Sequence, residues 1–321
     1  MIYLPLEHIE QRYTTHMDRD ILDYLNRKGI KYKYLSPDTL TGKIENGSFL
    51  DAPATCYRQF NQMKELVRML AEGEIEKDET LFVTDIWNFA LMCIPYLNYF
   101  CNANLKVQGI VHAGSFTDTD FVRHMERVYK GFEESLFDIC DKVYVGSEFI
   151  KSDIIQKRYI RPEKLIVTGL PLDFKGLQKY KGQYSRRHRI VFNGRNVDEK
   201  QPYLFDLLQE RLPQYEYVNT QKEGFTKDEY YNVLATSKCV VSFALQENFG
   251  YGVQEAVYLG CVPALPNRLA YKEQFDTKYL YNNFDECVHL VDRIMKDELP
   301  KTTPIVTDND KIFDVWFKDF K

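Results

Sequence analysis

The sequence predicts an α/β protein of two successive doubly wound domains, each a parallel sheet covered by helices on both faces. Three observations predict this. Short β-branched or aromatic runs alternate with longer amphipathic segments, and the runs are near-continuously apolar, as strands buried on both faces are. The alternation breaks between residues 171 and 188 and restarts at Arg189. The 321 residues suffice for two domains of ordinary size.

In chain order, residues 2–6 read as a strand and 14–28 as a helix closed by Gly29. Residues 31–35 read as a strand, 42–51 as a turn-rich insertion or hairpin, and 54–71 as a helix. Strands follow at 81–85 and 107–112, a long helix at 120–137, a strand at 143–147, a helix at 148–158 and a strand at 165–168. This is a first domain over 1–172. Residues 173–188 are polar and basic without apolar periodicity and read as a linker. The second domain, 189–305, opens with a strand at 189–194. It continues with helices at 201–211, 227–235, 251–259 and 284–296, and with strands at 215–219, 239–245 and 262–265. Residues 306–321 carry an aromatic-rich amphipathic helix over 308–320, expected to pack back on the first domain. No internal repeat or low-complexity tract is seen.

Composition limits the function. Hydrophobic content of 44% and charged content of 28% fit a soluble globular protein. A net charge of −5 argues against nucleic acid binding over the whole surface. Two local basic stretches remain, 157–164 and 179–189, each read first as solvated loop or linker. There is no apolar run of transmembrane length, and the N-terminus lacks the pattern of a signal peptide. The helix at 14–28 mixes Arg19, Arg27 and Lys28 with Asp18, Asp20 and Asp23, which does not suit membrane docking. Seven scattered cysteines without a CxxC pair predict buried reduced thiols and a cytoplasmic protein. The 23 tyrosines serve cores and interfaces but also stack on bases and sugars.

The densest motif is Gln246-Glu247-Asn248-Phe249-Gly250-Tyr251-Gly252-Val253-Gln254-Glu255-Ala256. Eight residues are a little over two helical turns, so Glu247 and Glu255 can share a face, the first at the loop mouth and the second on the helix. Carboxylates accept strong charge-assisted bonds from hydroxyls, and glycines let backbone N–H groups approach phosphate at a helix N-terminus. Upstream, Gly194, Arg195 and Lys200 follow a strand, and the two cations can neutralise a diphosphate. Other chemistry-bearing residues at predicted strand ends are Asp85 and His112. Asp85 reads equally as a helix cap, and a lone histidine is more often structural than functional.

These elements together resemble the retaining GT-B glycosyltransferases of the glycogen synthase and mannosyltransferase type, family 4 in the usual classification. The resemblance rests on Ile190-Val191-Phe192-Asn193-Gly194-Arg195 with Glu199-Lys200, on the E-x7-E element from Glu247 to Glu255, and on Leu259-Gly260-Cys261-Val262-Pro263. It extends to Val143-Tyr144-Val145-Gly146-Ser147 and Val167-Thr168-Gly169-Leu170-Pro171, and covers most of residues 140–270. It implies two Rossmann-like domains facing each other across a cleft, with a nucleotide sugar, expected to be a UDP-sugar, as co-substrate. Arg195 and Lys200 then stabilise the departing diphosphate, without a bound metal or other cofactor. Asp118-Thr119-Asp120 has metal-binding spacing but falls in the loop after His112. Glu247 binds sugar hydroxyls, Glu255 the ribose, and the N–H groups of Asn248, Phe249 and Gly250 face sugar or phosphate. His112 touches the donor sugar near the reacting bond, and Asp85 is a candidate base or acceptor contact. The expected catalytic set is therefore His112, Asp85, Arg195, Lys200 and Glu247.

The opening strand departs from the family, because no Gly-rich turn follows it. The segment from Tyr3 to Thr14, with Gly47-Ser48-Phe49-Leu50-Asp51 and His112-Ala113-Gly114-Ser115-Phe116, is instead similar to glycosyltransferases of tailed bacteriophages. That similarity implies a hydroxymethylated pyrimidine in double-stranded phage DNA as acceptor, flipped out of the helix. Glu10, Arg12, Tyr13, Tyr57, Asp85, Ser115 and Asp118 are then the acceptor-side candidates. Two alternatives stay open: the same chemistry on a glycan, lipid or small molecule, and a non-catalytic nucleotide-sugar- or DNA-binding module. A monomer or weak oligomer is expected, in the host cytoplasm if phage-encoded.

Overall fold

The computed structural model describes residues 1–9, 13–35, 38–40, 51–120, 122–182, 187–222 and 224–320. The chain divides into two compact units, Met1–Thr168 with Asp310–Lys321, and Gly169–Asn309.

The first unit runs β1 (Ile2–Leu4), α1 (Tyr13–Lys28), β2 (Lys33–Tyr34), α2 (Ala52–Ala71) and β3 (Thr80–Val83). A 3₁₀ turn (Phe89–Cys93) leads into α3 (Ile94–Cys101). β4 (Lys106–Val111), α4 (Glu126–Ile139), β5 (Lys142–Val145), α5 (Glu148–Lys157) and β6 (Leu165–Val167) complete it. Its six strands pair in parallel in the order β2-β1-β3-β4-β5-β6. Local chemistry sets the helix starts. Asp51 accepts the Ala54 N–H at 2.9 Å to open α2, and Ser147 caps α5 through the Ile150 N–H at 3.3 Å.

The second unit runs α6 (Phe174–Gln178), β7 (Arg189–Phe192), α7 (Tyr203–Arg211), β8 (Glu216–Asn219) and α8 (Lys227–Thr236). It continues with β9 (Cys239–Val241), α9 (Tyr251–Tyr258), β10 (Val262–Pro266), α10 (Tyr271–Gln274), β11 (Leu280–Tyr281) and α11 (Phe284–Met295). A capping box between Thr226 and Glu229 fixes the start of α8. Its strands are also parallel, in the order β11-β10-β9-β7-β8. The last helix, α12 (Asn309–Trp316), carries Asp314, which accepts from Tyr24 at 2.6 Å, and Trp316, which is fully buried.

Counted from its own first strand, the first sheet reads 2-1-3-4-5-6 and the second 2-1-3-4-5, so each reverses direction between its first and third strands. In open parallel sheets a ligand site lies at that switch, outside the carboxyl ends of the strands. The ends concerned carry Thr84 and Asp85 in the first unit, with His112 at the end of the neighbouring β4, and Asn193, Gly194 and residues 242–250 in the second.

Several elements differ from expectation. Residues 173–188 are not a solvated linker throughout: Asp173 caps α6 through the Gly176 N–H at 2.9 Å, and Leu177 and Tyr180 pack with Val191, Tyr231 and Leu234. The long helix expected at 120–137 begins as α-helix only at Glu126, because Asp120 bonds the Val122 N–H at 3.1 Å and closes a turn first. The strand expected at 239–245 leaves the sheet after Val241. The 3₁₀ turn, α3, α10 and β11 were not expected. The insertion at 42–51 lies, apart from Asp51, outside the described residues. All seven cysteines are free, but Cys93 and Cys101 are exposed rather than buried. Burial pushes the Cys140 thiol up to about 12. Among the described residues no helix is long and apolar enough to cross a membrane.

Candidate active site

In the second unit the switch point gathers the motif residues. Lys200 is buried, and its ammonium donates to the Gln246 carbonyl and lies 3.3 Å from Glu247 Oε2. The other Glu247 oxygen, Oε1, accepts the Gly250 N–H at 3.0 Å. Arg195 Nη2 pairs with Glu199 Oε1 at 2.6 Å, and the Glu199 carbonyl accepts the Leu245 N–H at 2.7 Å. One hydrogen-bonded chain thus ties the turn after β7 to the loop after β9. Gly250 caps α9 at φ +81°, and a β-carbon there would meet the Tyr271 ring at 2.9 Å, so glycine is required on both counts. Gly194 follows Asn193, whose side-chain amide donates to the Gly252 carbonyl at 2.6 Å and clasps the start of α9.

Glu255 is also buried. The Tyr230 hydroxyl donates to Oε2 at 3.1 Å, the Tyr231 hydroxyl donates to Oε1 at 3.2 Å, and Lys227 stands 3.7 Å away. Burial, followed by the Glu255 charge, pushes both phenols up and keeps them protonated as donors. All three partners come from α8, whose Lys227-x-x-Tyr230-Tyr231 spacing puts them on one side.

Three details correct the sequence reading. The two glutamates do not share a helix face, because α9 begins at Tyr251, four residues after Glu247. The Gly250 N–H serves Glu247 rather than facing a ligand. Phe249 is a core residue, with its carbonyl bonded to Gln274 at 3.0 Å, and Asn248 Oδ1 accepts from Gln246 at 2.7 Å. Sequence reasoning missed Asn193, Lys227, Tyr230 and Tyr231. Two adjacent tyrosines on the helix preceding the motif strand were the available signal.

In the first unit, His112 follows β4 and its Nε2–H donates to the Thr84 carbonyl at 2.8 Å. Asp85 follows β3 and accepts the Trp87 N–H at 3.0 Å. Burial lowers the His112 pKa, with Asp85 opposing, and raises that of Asp85, with His112 opposing. The histidine is thereby biased to its neutral form and coupled to a recessed carboxyl. Tyr13 lies against the His112 ring, with centroids 5.1 Å apart.

The other acceptor candidates separate. Ser115 is completely buried and bonded to Glu133 and Arg158, so it does not face an acceptor. Asp118 is exposed and paired with Lys157 at 2.9 Å, which holds its carboxyl below the usual range. Tyr57 is exposed on α2. Glu10 and Arg12 lie outside the described residues. The basic stretch 157–164 is largely consumed internally. Arg158 pairs with buried Glu133 at 2.7 Å, Lys157 donates to the Phe116 carbonyl at 2.8 Å, and Lys164 donates to the Asp138 carbonyl at 2.8 Å. In the second stretch Lys179 pairs with Asp228 and Arg189 with Glu216, Arg187 and His188 are exposed, and Arg186 lies outside the described residues.

Comparison with known proteins identifies the fold. No family model matches the chain. The sucrose-phosphate synthase of Thermosynechococcus elongatus superposes with a TM-score of 0.68 at 10% identity, covering 99% of this chain and 95% of that one. The catalytic domain of Arabidopsis thaliana starch synthase IV, bound to ADP and acarbose, gives 0.61 at 12% identity over 99% and 94%. The lipopolysaccharide outer core galactosyltransferase WaaB gives 0.56 at 12% identity over 99% and 97%. These are GT-B glycosyltransferases, and the chain has their fold of two parallel-sheet, Rossmann-like domains. Among curated proteins, the tRNA-queuosine alpha-mannosyltransferase of Drosophila melanogaster is 33% identical over 96 residues. That match spans 27% of this chain and a quarter (25%) of the fly protein.

Proposed function

We propose that the chain is a retaining glycosyltransferase that takes its sugar from a nucleoside-diphosphate donor, expected to be a UDP-sugar. The carrying observation is the buried Lys200 ammonium, held 3.3 Å from Glu247 at the switch-point strand ends with Arg195 on the same turn. Breaking the bond from the anomeric carbon to the phosphate leaves an electron pair, and growing charge, on the β-phosphate oxygen. Two cations beside a helix N-terminus suit that charge, and preorganised charge partners commonly supply the largest share of catalysis. This is why turnover is expected to survive metal chelation. Glu247 then orients sugar hydroxyls, and Glu255, steadied by its two tyrosines, receives the ribose. The acceptor oxygen attacks from the face the diphosphate leaves, and its proton passes to the departing phosphate oxygen, so the anomeric configuration is kept. In this reading His112 serves as a contact to the sugar and Asp85 as a base or acceptor contact, as the family resemblance implies.

For the acceptor, the resemblance of the chain's opening favours a hydroxymethylated pyrimidine in phage DNA, reached by base flipping. Tyr13, whose ring lies against that of His112, is the residue best disposed to meet such a base. A second reading, a modified nucleoside in tRNA, is favoured by the name of the fly relative. The test mixes protein with a panel of nucleotide sugars and with hydroxymethylcytosine DNA, bulk tRNA or no acceptor. It is read by nucleotide release and nucleoside mass spectrometry. A sugar mass on the DNA nucleoside supports the first reading, and one on a tRNA nucleoside the second. Release indifferent to both sends the search to glycans, lipids and small molecules, and an inverted anomer in the product contradicts retention.

A further inference from the structure

We propose that Glu133 is a positioning residue that locks the Asp85 and His112 loops to each other. Glu133 stands in the middle of α4 and is itself buried. Its Oε1 accepts the Ser115 N–H at 2.6 Å and the Trp87 indole N–H at 3.1 Å. Its Oε2 accepts the Ser115 hydroxyl at 2.9 Å and Arg158 Nε at 2.7 Å. One carboxylate has about four lone-pair sites, and all four are used. The donors come from both loops of interest. Trp87 lies two residues after Asp85 and donates its backbone N–H to that carboxylate, and Ser115 lies three residues after His112.

The backbone is fitted to this contact. A β-carbon on Gly114 would meet Glu133 Oε1 at 2.8 Å and the Phe116 ring at 2.3 Å, so only glycine lets the loop approach so closely. Arg158 completes the clamp by also donating to the Ser115 hydroxyl at 3.0 Å. A second tie, from His112 Nε2–H to the Thr84 carbonyl, joins the loops at their rim. A carboxylate serving only to anchor α5 needs the Arg158 bond alone. Glu133 instead spends three of its four acceptances on the two loops. Its catalytic meaning rests on the proposed reading of Asp85 and His112.

The test uses substitutions that spare the buried ion pair, Trp87→Phe and Ser115→Ala, in the full chain. Amide hydrogen exchange is followed at 84–91 and 112–118. A shared clamp predicts that each variant speeds exchange in both loops by about tenfold, and that the double variant adds little. Loosening confined to the substituted loop, or additive effects, overturns the proposal. In the nucleotide-release assay, kcat is expected to fall about tenfold or more with donor KM within about twofold, since small misplacements of reacting groups are costly. An unchanged kcat in variants whose loops are both loosened overturns the catalytic role. If the unaltered protein releases no nucleotide from any sugar donor, the proposed function fails, and the exchange result still decides the clamp.

Discussion

The two units carry sheets that share the strand order 2-1-3-4-5, the first adding a sixth strand, but hold their rims differently. In the second unit Glu247 is fixed by the Gly250 N–H and Arg195 by Glu199, both close in sequence, while Glu255 is fixed by three residues of a single helix, α8, earlier in the chain. In the first unit the loops are fixed by a buried carboxylate–guanidinium pair whose partners are scattered from Trp87 to Arg158. The difference teaches where a site can be altered without unfolding its support. The cationic rim of the second unit is partly open and replaceable, whereas the first unit's rim is part of its core.

The largest expected effect exploits that contrast. Arg158→Met strands the Glu133 charge in the interior, and breaking a buried pair this way costs about 3–5 kcal/mol. The same change at Arg195, whose side chain is 42% exposed, should stay within about 1 kcal/mol, as exposed pairs do. Urea unfolding of the two variants measures both, and equal losses would erase the distinction between the rims. Next in size, Arg195→Ala and Lys200→Ala should each lower turnover about 10²–10³-fold, the ordinary consequence of removing a transition-state charge partner. Normal kinetics would take that residue out of the diphosphate site. Glu255→Gln should weaken donor affinity about tenfold with a smaller change in kcat, since charge-assisted bonds are roughly twice as strong as neutral ones. An unchanged dissociation constant by calorimetry would leave Glu255 as a support for α8 alone.

The smallest effect concerns pH. Burial lowers the folded-state pKa of His112. Below the ordinary histidine pKa of about 6.5 the unfolded chain therefore binds the extra proton first. The stability contribution of the neutral ring is fully present above that pH and declines as pH falls toward the lowered folded value. Comparing the native protein with His112→Gln at pH 5 and pH 7.5 isolates this, with the native protein losing more on acidification. Equal losses would mean that the ring's proton affinity is not lowered.

How far the sequence could be read follows the same division. The second rim was visible because its chemistry is compressed into residues 193–200 and 246–255, where glycine, cation and carboxylate stand in one order. The paired tyrosines on Glu255 were not, because aromatic residues on an amphipathic helix read as core. In the first unit, α3 and its preceding turn escaped because 89–101 is apolar on nearly every side, leaving no periodicity to detect. Pro95 there looks like a breaker but sits in the first turn, where its missing N–H costs nothing. The basic stretch 157–164 misled for the opposite reason: its charges look solvated until the fold supplies Glu133 and the carbonyls of α4. Charge in a sequence does not reveal whether a partner waits in the interior. Ser115 is an acceptor candidate through the phage resemblance alone, and a short polar residue in a motif does not reveal that its hydroxyl is bonded to Glu133 and Arg158 in the interior.

The most direct test of the donor site is amide exchange of the full chain with and without a nucleoside diphosphate, uridine diphosphate first. Slowed exchange at 193–200 and 246–255, lost when Arg195 and Lys200 are both replaced by alanine, is the expected result. Protection confined to the first unit, or none with any common nucleoside diphosphate at millimolar concentration, would contradict a donor site at the second rim.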